Sequence, residues 1–100
     1  MKRYRVIFTD SAKDDIFKSY EWGCREWGEV KAPQWARKLR ESVEKVLKIF
    51  PLSQSVAPET VHFPIEVRQI IVGRYRILYV VNERTVSIIH VRGAFVEDPD

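Results

Sequence analysis

The hydrophobic period of this chain changes once, at Pro51. Before it, apolar residues recur at intervals of three and four, the spacing that gathers them on one face of a helix; after it they alternate or run together as strand residues do. Ala12, Ile16, Tyr20, Cys24 and Trp27 fall within an arc of about 120° at 100° per residue, with Phe17 at its edge. A second stripe of Ala32, Trp35, Ala36, Leu39, Val43, Val46, Leu47 and Phe50 is closed by Pro51, while Pro33 is tolerated because it lies in the first turn. Gly28 separates the two stripes, which predicts a helical hairpin. The β-rich run Tyr4 to Phe8 precedes them and stops at Thr9-Asp10-Ser11, a strand followed by a helix N-cap. Residues 51–60 hold no periodicity and are expected as a loop. Glu66 to Val72, Arg74 to Val81 and Thr85 to Arg92 read as strands, the last two joined by the polar loop Asn82-Glu83-Arg84. The order βααβββ predicts an α+β fold, an antiparallel-rich sheet with the helical hairpin packed on one face.

A chain of 100 residues has room for one core, expected to span residues 1–96, with the acidic tail Glu97-Asp98-Pro99-Asp100 beyond it. The lone Cys24 can form no internal disulfide, and no charged segment followed by a long apolar one opens the sequence, so a reducing, cytoplasmic location is expected. Apolar runs such as Ile70 to Val72 and Ile77 to Val81 are far shorter than the roughly 20 residues a membrane helix needs. No membrane partner is expected. The net charge of +3 permits a polyanionic partner without requiring one. Its distribution is uneven, with five arginines against two acids between Val61 and Arg92.

Alternation places Tyr75, Ile77, Tyr79 and Val81 on the core side of their strand and Arg74, Arg76, Leu78 and Val80 on the other. With a three-residue loop at Asn82-Glu83-Arg84, Arg76 is expected opposite His90 and Arg74 opposite Arg92 on the non-helical face, and Arg68 shares their even parity. Such a cluster suits phosphate or carboxylate recognition, because guanidinium groups bind both in bidentate fashion; alternatively it keeps a sheet face soluble and discourages edge pairing. A loop one residue longer would flip the parity and scatter the cluster. Cys24, on the apolar stripe, reads as a buried small hydrophobe. His62 and His90 have no Cys or carboxylate at ligand spacing, so neither metal nor other cofactor is expected. Asp14 and Asp15 read as charges favouring the helix dipole. Gly73 precedes a strand and makes no phosphate loop. Arg37, Lys38, Lys45 and Lys48 oppose the second stripe and read as a solvated face. Trp22 lies well off the first stripe and either covers the end of the core or anchors a partner.

Several segments, in this order, resemble the RelE/ParE superfamily of toxins from bacterial type II toxin-antitoxin, or plasmid stabilisation, modules. They are Tyr4-Arg5-Val6-Ile7-Phe8 with Ala12, Asp14 and Asp15; Tyr20 to Trp27-Gly28; Ala36, Leu39 and Leu47 with Pro51; Val67-Arg68; Val72-Gly73-Arg74-Tyr75-Arg76-Ile77-Leu78-Tyr79; and Val86 to Arg92. The resemblance implies growth inhibition, a cognate antitoxin as partner in a hetero-oligomer, and one of two targets. Members that cleave mRNA on the ribosome use basic residues on the second and third strands and Arg, His or Tyr near the end of the last. Arg76 matches the third-strand arginine, whereas Val67 and Gln69 stand near the second-strand positions and Gly93 and Phe95 at or near the last ones. His90 and Arg92 are the available substitutes, so a ribonuclease would rely on Arg76, His90 and Arg92. The long first helix and Trp27-Gly28 are more similar to the ParE branch, which poisons DNA gyrase. That reading makes Arg68, Arg74, Arg76 and Arg92 target-binding and Trp22 antitoxin-binding. It is the expectation, with a ribosome-dependent mRNA interferase as the alternative.

Overall fold

The computed structural model describes residues 3–27 and 31–93, apart from the side chains of residues 23, 27, 31 and 32. The expected junction at Gly28, the packing of Trp27 and Ala32, the position of Phe95 and the acidic tail lie outside these. Strand β1 (Arg5–Phe8) leads into helix α1 (Asp10–Trp27), followed by α2 (Lys31–Leu47), β2 (Ser55–Val56), β3 (Arg68–Val72), β4 (Tyr75–Asn82) and β5 (Thr85–Gly93). The strands form one mixed α+β sheet in the order β1-β5-β4-β3-β2, parallel only between β1 and β5.

Thr9 turns the first strand into the first helix. Its hydroxyl donates to the Ile88 carbonyl at 2.7 Å and accepts the Ala12 N–H at 3.3 Å, so one side chain caps α1 and ties it to β5. The helices cover the sheet face that carries Tyr75, Ile77, Tyr79, Val86, Ile88 and Val91, with Ala12, Leu39, Val43 and Leu47 opposite them. Tyr79 satisfies its buried hydroxyl by donating to the Pro51 carbonyl at 2.6 Å.

Three expectations about packing need correction. Phe17 and Phe50 are more than half exposed, because α1 buries Ala12 and Ser19 instead and α2 has ended at Leu47 before Phe50 is reached. Cys24 is half-buried; the α1 residues in or against the core, Ala12 and Ile16, lie nearer the start of the helix. Residues 51–60 are not structureless: 3₁₀ turns at Pro51–Ser53 and Pro58–His62 flank β2, which adds a fifth strand. This excursion returns over the outer, non-helical face. The Ala57 N–H donates to the Val67 carbonyl at 2.8 Å, the Thr60 hydroxyl accepts the Val67 N–H at 2.9 Å, and Ala57, Val67 and Leu78 form a second small core.

The hairpin loop differs too. Asn82 pairs with Thr85, leaving Glu83 and Arg84 as a two-residue loop in which Glu83 takes a φ of 56°. The register runs straight to Tyr79↔Ile88 and then slips to Leu78↔His90, so Ile89 is an extra residue, a β-bulge. One slip restores the parity that the shorter loop reversed. Arg76 and Arg92 therefore do share the outer face, but as direct partners of each other, and His90 pairs with Leu78.

Candidate functional site

Arg76 stands at the middle of the outer face, and the excursion between β2 and β3 determines what it meets. The Pro58–His62 turn carries Glu59 over it, anchored by the small core beneath. Arg76 donates from Nη1 to Glu59 Oε1 at 3.0 Å and from Nη2 to Glu59 Oε2 at 2.5 Å, a two-point clamp, and Nη1 also reaches Gln69 Oε1 at 2.9 Å. This is the planar fork-to-carboxylate match that guanidinium favours. The hydrogen bonds from Arg76, helped by the positive charge of Arg92, hold the Glu59 carboxyl down at about 2. Glu59 was not among the residues that the sequence singled out.

Arg92 lies across the strand pair from Arg76, its Nε buried and with no acceptor among the described residues. His90 is engaged elsewhere. Its Nδ1 lies 3.1 Å from Asp15 Oδ2, and since an ionised carboxylate only accepts, Nδ1 carries the hydrogen. The same oxygen accepts the Val91 N–H at 2.9 Å. Asp15 thus does more than favour the helix dipole: it caps the edge of β5 where β1 has already ended.

Arg68 and Arg74 do not join the cluster. Arg68 pairs with Tyr79, on the helix-facing side, where it donates to the Gln54 carbonyl at 2.6 Å and bridges Glu66 at 2.9 Å. Its even parity misled because β3 pairs with β4 so that even residues face odd ones. Arg74 belongs to the exposed turn Gly73-Arg74, which needs two residues only and uses the φ of 62° at Gly73. Arg74 has no strand partner in Arg92. Gly93 pairs with Tyr75 instead, and a β-carbon there would run into the Tyr75 ring.

On the helical side, a groove of about 760 Å³ runs between the helices and the β3–β4 turn, walled by Trp22, Trp35, Leu39, Val72 and Tyr75, with exposed Lys38 and Arg74 beside it. Trp22 is half-buried here, and the Trp35 and Tyr75 rings meet at 5.1 Å. Burial pushes the Tyr75 hydroxyl up to about 12, opposed by the Ser19 hydroxyl and the charge of Arg74. Among the described residues no three His, Cys, Asp or Glu side chains gather as a metal site would need, and no helix is long and apolar enough to cross a membrane.

A five-stranded sheet of this order, helices on one face and a paired arginine on the other, defines the architecture that comparison with known proteins identifies. Residues 6–94 match the family described as the ParE toxin of type II toxin-antitoxin systems, parDE, and the chain belongs to that family. Among solved structures it is similar to a chain of the chromosomal ParDE toxin-antitoxin system from P. aeruginosa, with a TM-score of 0.75 and 18% identity, 91% of this chain and 96% of that one being covered. It is also similar to a chain of the RelBE2 toxin-antitoxin complex from Mycobacterium tuberculosis, with a TM-score of 0.67, 23% identity and 93% of each chain covered. No curated protein matches the sequence significantly.

Proposed function

We propose that this toxin arrests growth by binding DNA gyrase as a protein inhibitor, and that a cognate antitoxin silences it. The observation that carries the choice of target is the clamp of Glu59 on Arg76. Phosphoryl chemistry on RNA needs a cation left available for developing charge and a proton acceptor within about 3 Å of the attacking oxygen. Here the matching arginine is neutralised, the His90 ring is held by Asp15, and Gly93 has no space for a side chain. The surroundings favour a protein partner. Residues 61–66 are all exposed and include Val61, at 77%, with Phe63 and Ile65, while Ile71, at 60%, sits directly opposite Arg76 on β3. Exposed apolar side chains around a paired charge suit docking on a protein surface.

For the antitoxin, the groove walled by Trp22, Trp35 and Tyr75 is the proposed seat. Lys38 and Arg74 beside it favour an amphipathic segment carrying acids. Trp22→Ala is expected to weaken the complex with the product of an adjacent gene by more than about tenfold, measured by calorimetry.

Induced expression tests the target. The expected outcome is altered plasmid supercoiling with mRNA intact, and partial loss of toxicity in Arg76→Ala. Ribosome-dependent mRNA cleavage by the wild-type protein, absent in Arg76→Ala, would overturn the proposal and make Arg76, His90 and Arg92 an active site.

A further inference from the structure

The outer face carries two arginines side by side in the register and one carboxylate clamped on the first of them. Arg76 spends both terminal nitrogens on Glu59, Arg92 adds its field to the same carboxylate, and the buried Arg92 Nε has no acceptor among the described residues. A guanidinium fork on an oxyanion, with a second arginine as its direct neighbour in the register, makes a recognition unit for a phosphodiester, with Glu59 in the place that the phosphate would take. The carboxylate belongs to no strand of the pair. It is delivered by the Pro58–His62 turn, which is fixed by the Ala57–Val67 backbone bond, the Thr60 hydroxyl and the small core of Ala57, Val67 and Leu78. The turn is thus held at three points around the residue that covers Arg76.

We infer that Glu59 is a specificity-determining residue, an internal substitute for phosphate that keeps single-stranded RNA off the sheet face. The inference rests on the protein-directed reading above and adds the residue that enforces it. Filled by Glu59, the arginine pair offers an incoming phosphate no unpaired terminal nitrogen on Arg76 at the clamp and one carboxylate to repel it. Emptied, the same pair presents two positive charges and a donor already desolvated. The Gln69 amide oxygen, 2.9 Å from Arg76 Nη1, is neutral and adds no charge to repel a phosphate.

The experiment measures binding of a short single-stranded RNA, and of the same sequence as DNA, to wild type, Glu59→Gln, Glu59→Ala and Glu59→Ala/Arg76→Ala across a salt series. Wild type is expected to bind weakly. Glu59→Ala is expected to bind both oligonucleotides about tenfold tighter or more, with the logarithmic salt slope steeper by about 0.7 for each phosphate gained. Glu59→Gln is expected in between, and the double variant back at the wild-type level. Equal gains for RNA and DNA assign the contact to the phosphate, and a gain confined to RNA assigns part of it to the 2′-hydroxyl; both support the inference. Should Glu59→Ala fail to fold, Glu59→Gln, which keeps the shape and one acceptor, carries the test alone. Weak binding by wild type and by every folded variant would overturn the inference and leave the gyrase reading standing. Wild-type binding as tight as that of Glu59→Ala would overturn the inference as well, and only mRNA cleavage by wild type would overturn the gyrase reading with it.

Discussion

Glu59 pairs with Arg76 only when ionised, and this links the residue to acid stability. Its pKa falls from 4.5 to about 2 on folding, so its contribution is complete above about pH 4.5 and disappears as the pH drops through about 2. With both side chains still about a quarter exposed, solvent screening reduces the contribution to about 1 to 2 kcal/mol. Chemical denaturation of wild type between pH 5 and about pH 2 should show that loss, and Glu59→Gln should flatten it. Equal pH dependence in both proteins would refute the assignment. Gly93 supplies a second test at this scale. Gly93→Ala must displace the Tyr75 ring from a packed position, with an expected cost of about 1 to 3 kcal/mol in thermal or denaturant unfolding. Glu83 acts in the opposite sense. It holds a left-handed φ of 56°, where its β-carbon crowds the following carbonyl, so Glu83→Gly should raise stability by about 1 kcal/mol.

Elements were legible in the sequence where one period governed them, and illegible where two local choices had to be combined. The helical stripes placed α1 and α2 within a residue or so at their starts, and alternation put Tyr75, Ile77 and Tyr79 against the helices, where Ile77→Ala should cost about 2 to 4 kcal/mol by denaturant unfolding. The arginine pair could not be read the same way. Its register depends on a two-residue loop and on the bulge at Ile89, each of which reverses parity and neither of which leaves a mark in composition. Arg68 failed for a related reason, since its side of the sheet is set by pairing with Tyr79 and not by its own strand. Glu59 was hidden because residues 51–60 have no period at all. Their order comes from the Pro58–His62 turn and from Val67, several residues downstream. The one available signal was a proline followed by an acid, Pro58-Glu59, which fits the first turn of a short helix but says nothing of what lies across the sheet.

At the scale of the whole molecule, β5 occupies a position that no other strand could fill. It lies between β1, the first strand made, and β4, its hairpin partner, and through Asp15 and Thr9 it also receives α1. A chain cut before Thr85 loses both the β1 contact and half of the helix-facing core, so circular dichroism and hydrogen exchange should find it unfolded. During synthesis β5 is the last of these strands to leave the ribosome. Until it has emerged, β1 has no neighbour in the sheet and the arginine pair has only one member. The sheet face that carries the arginine pair is completed only when β5 joins it, and the time that a cell has to supply the antidote is counted from there.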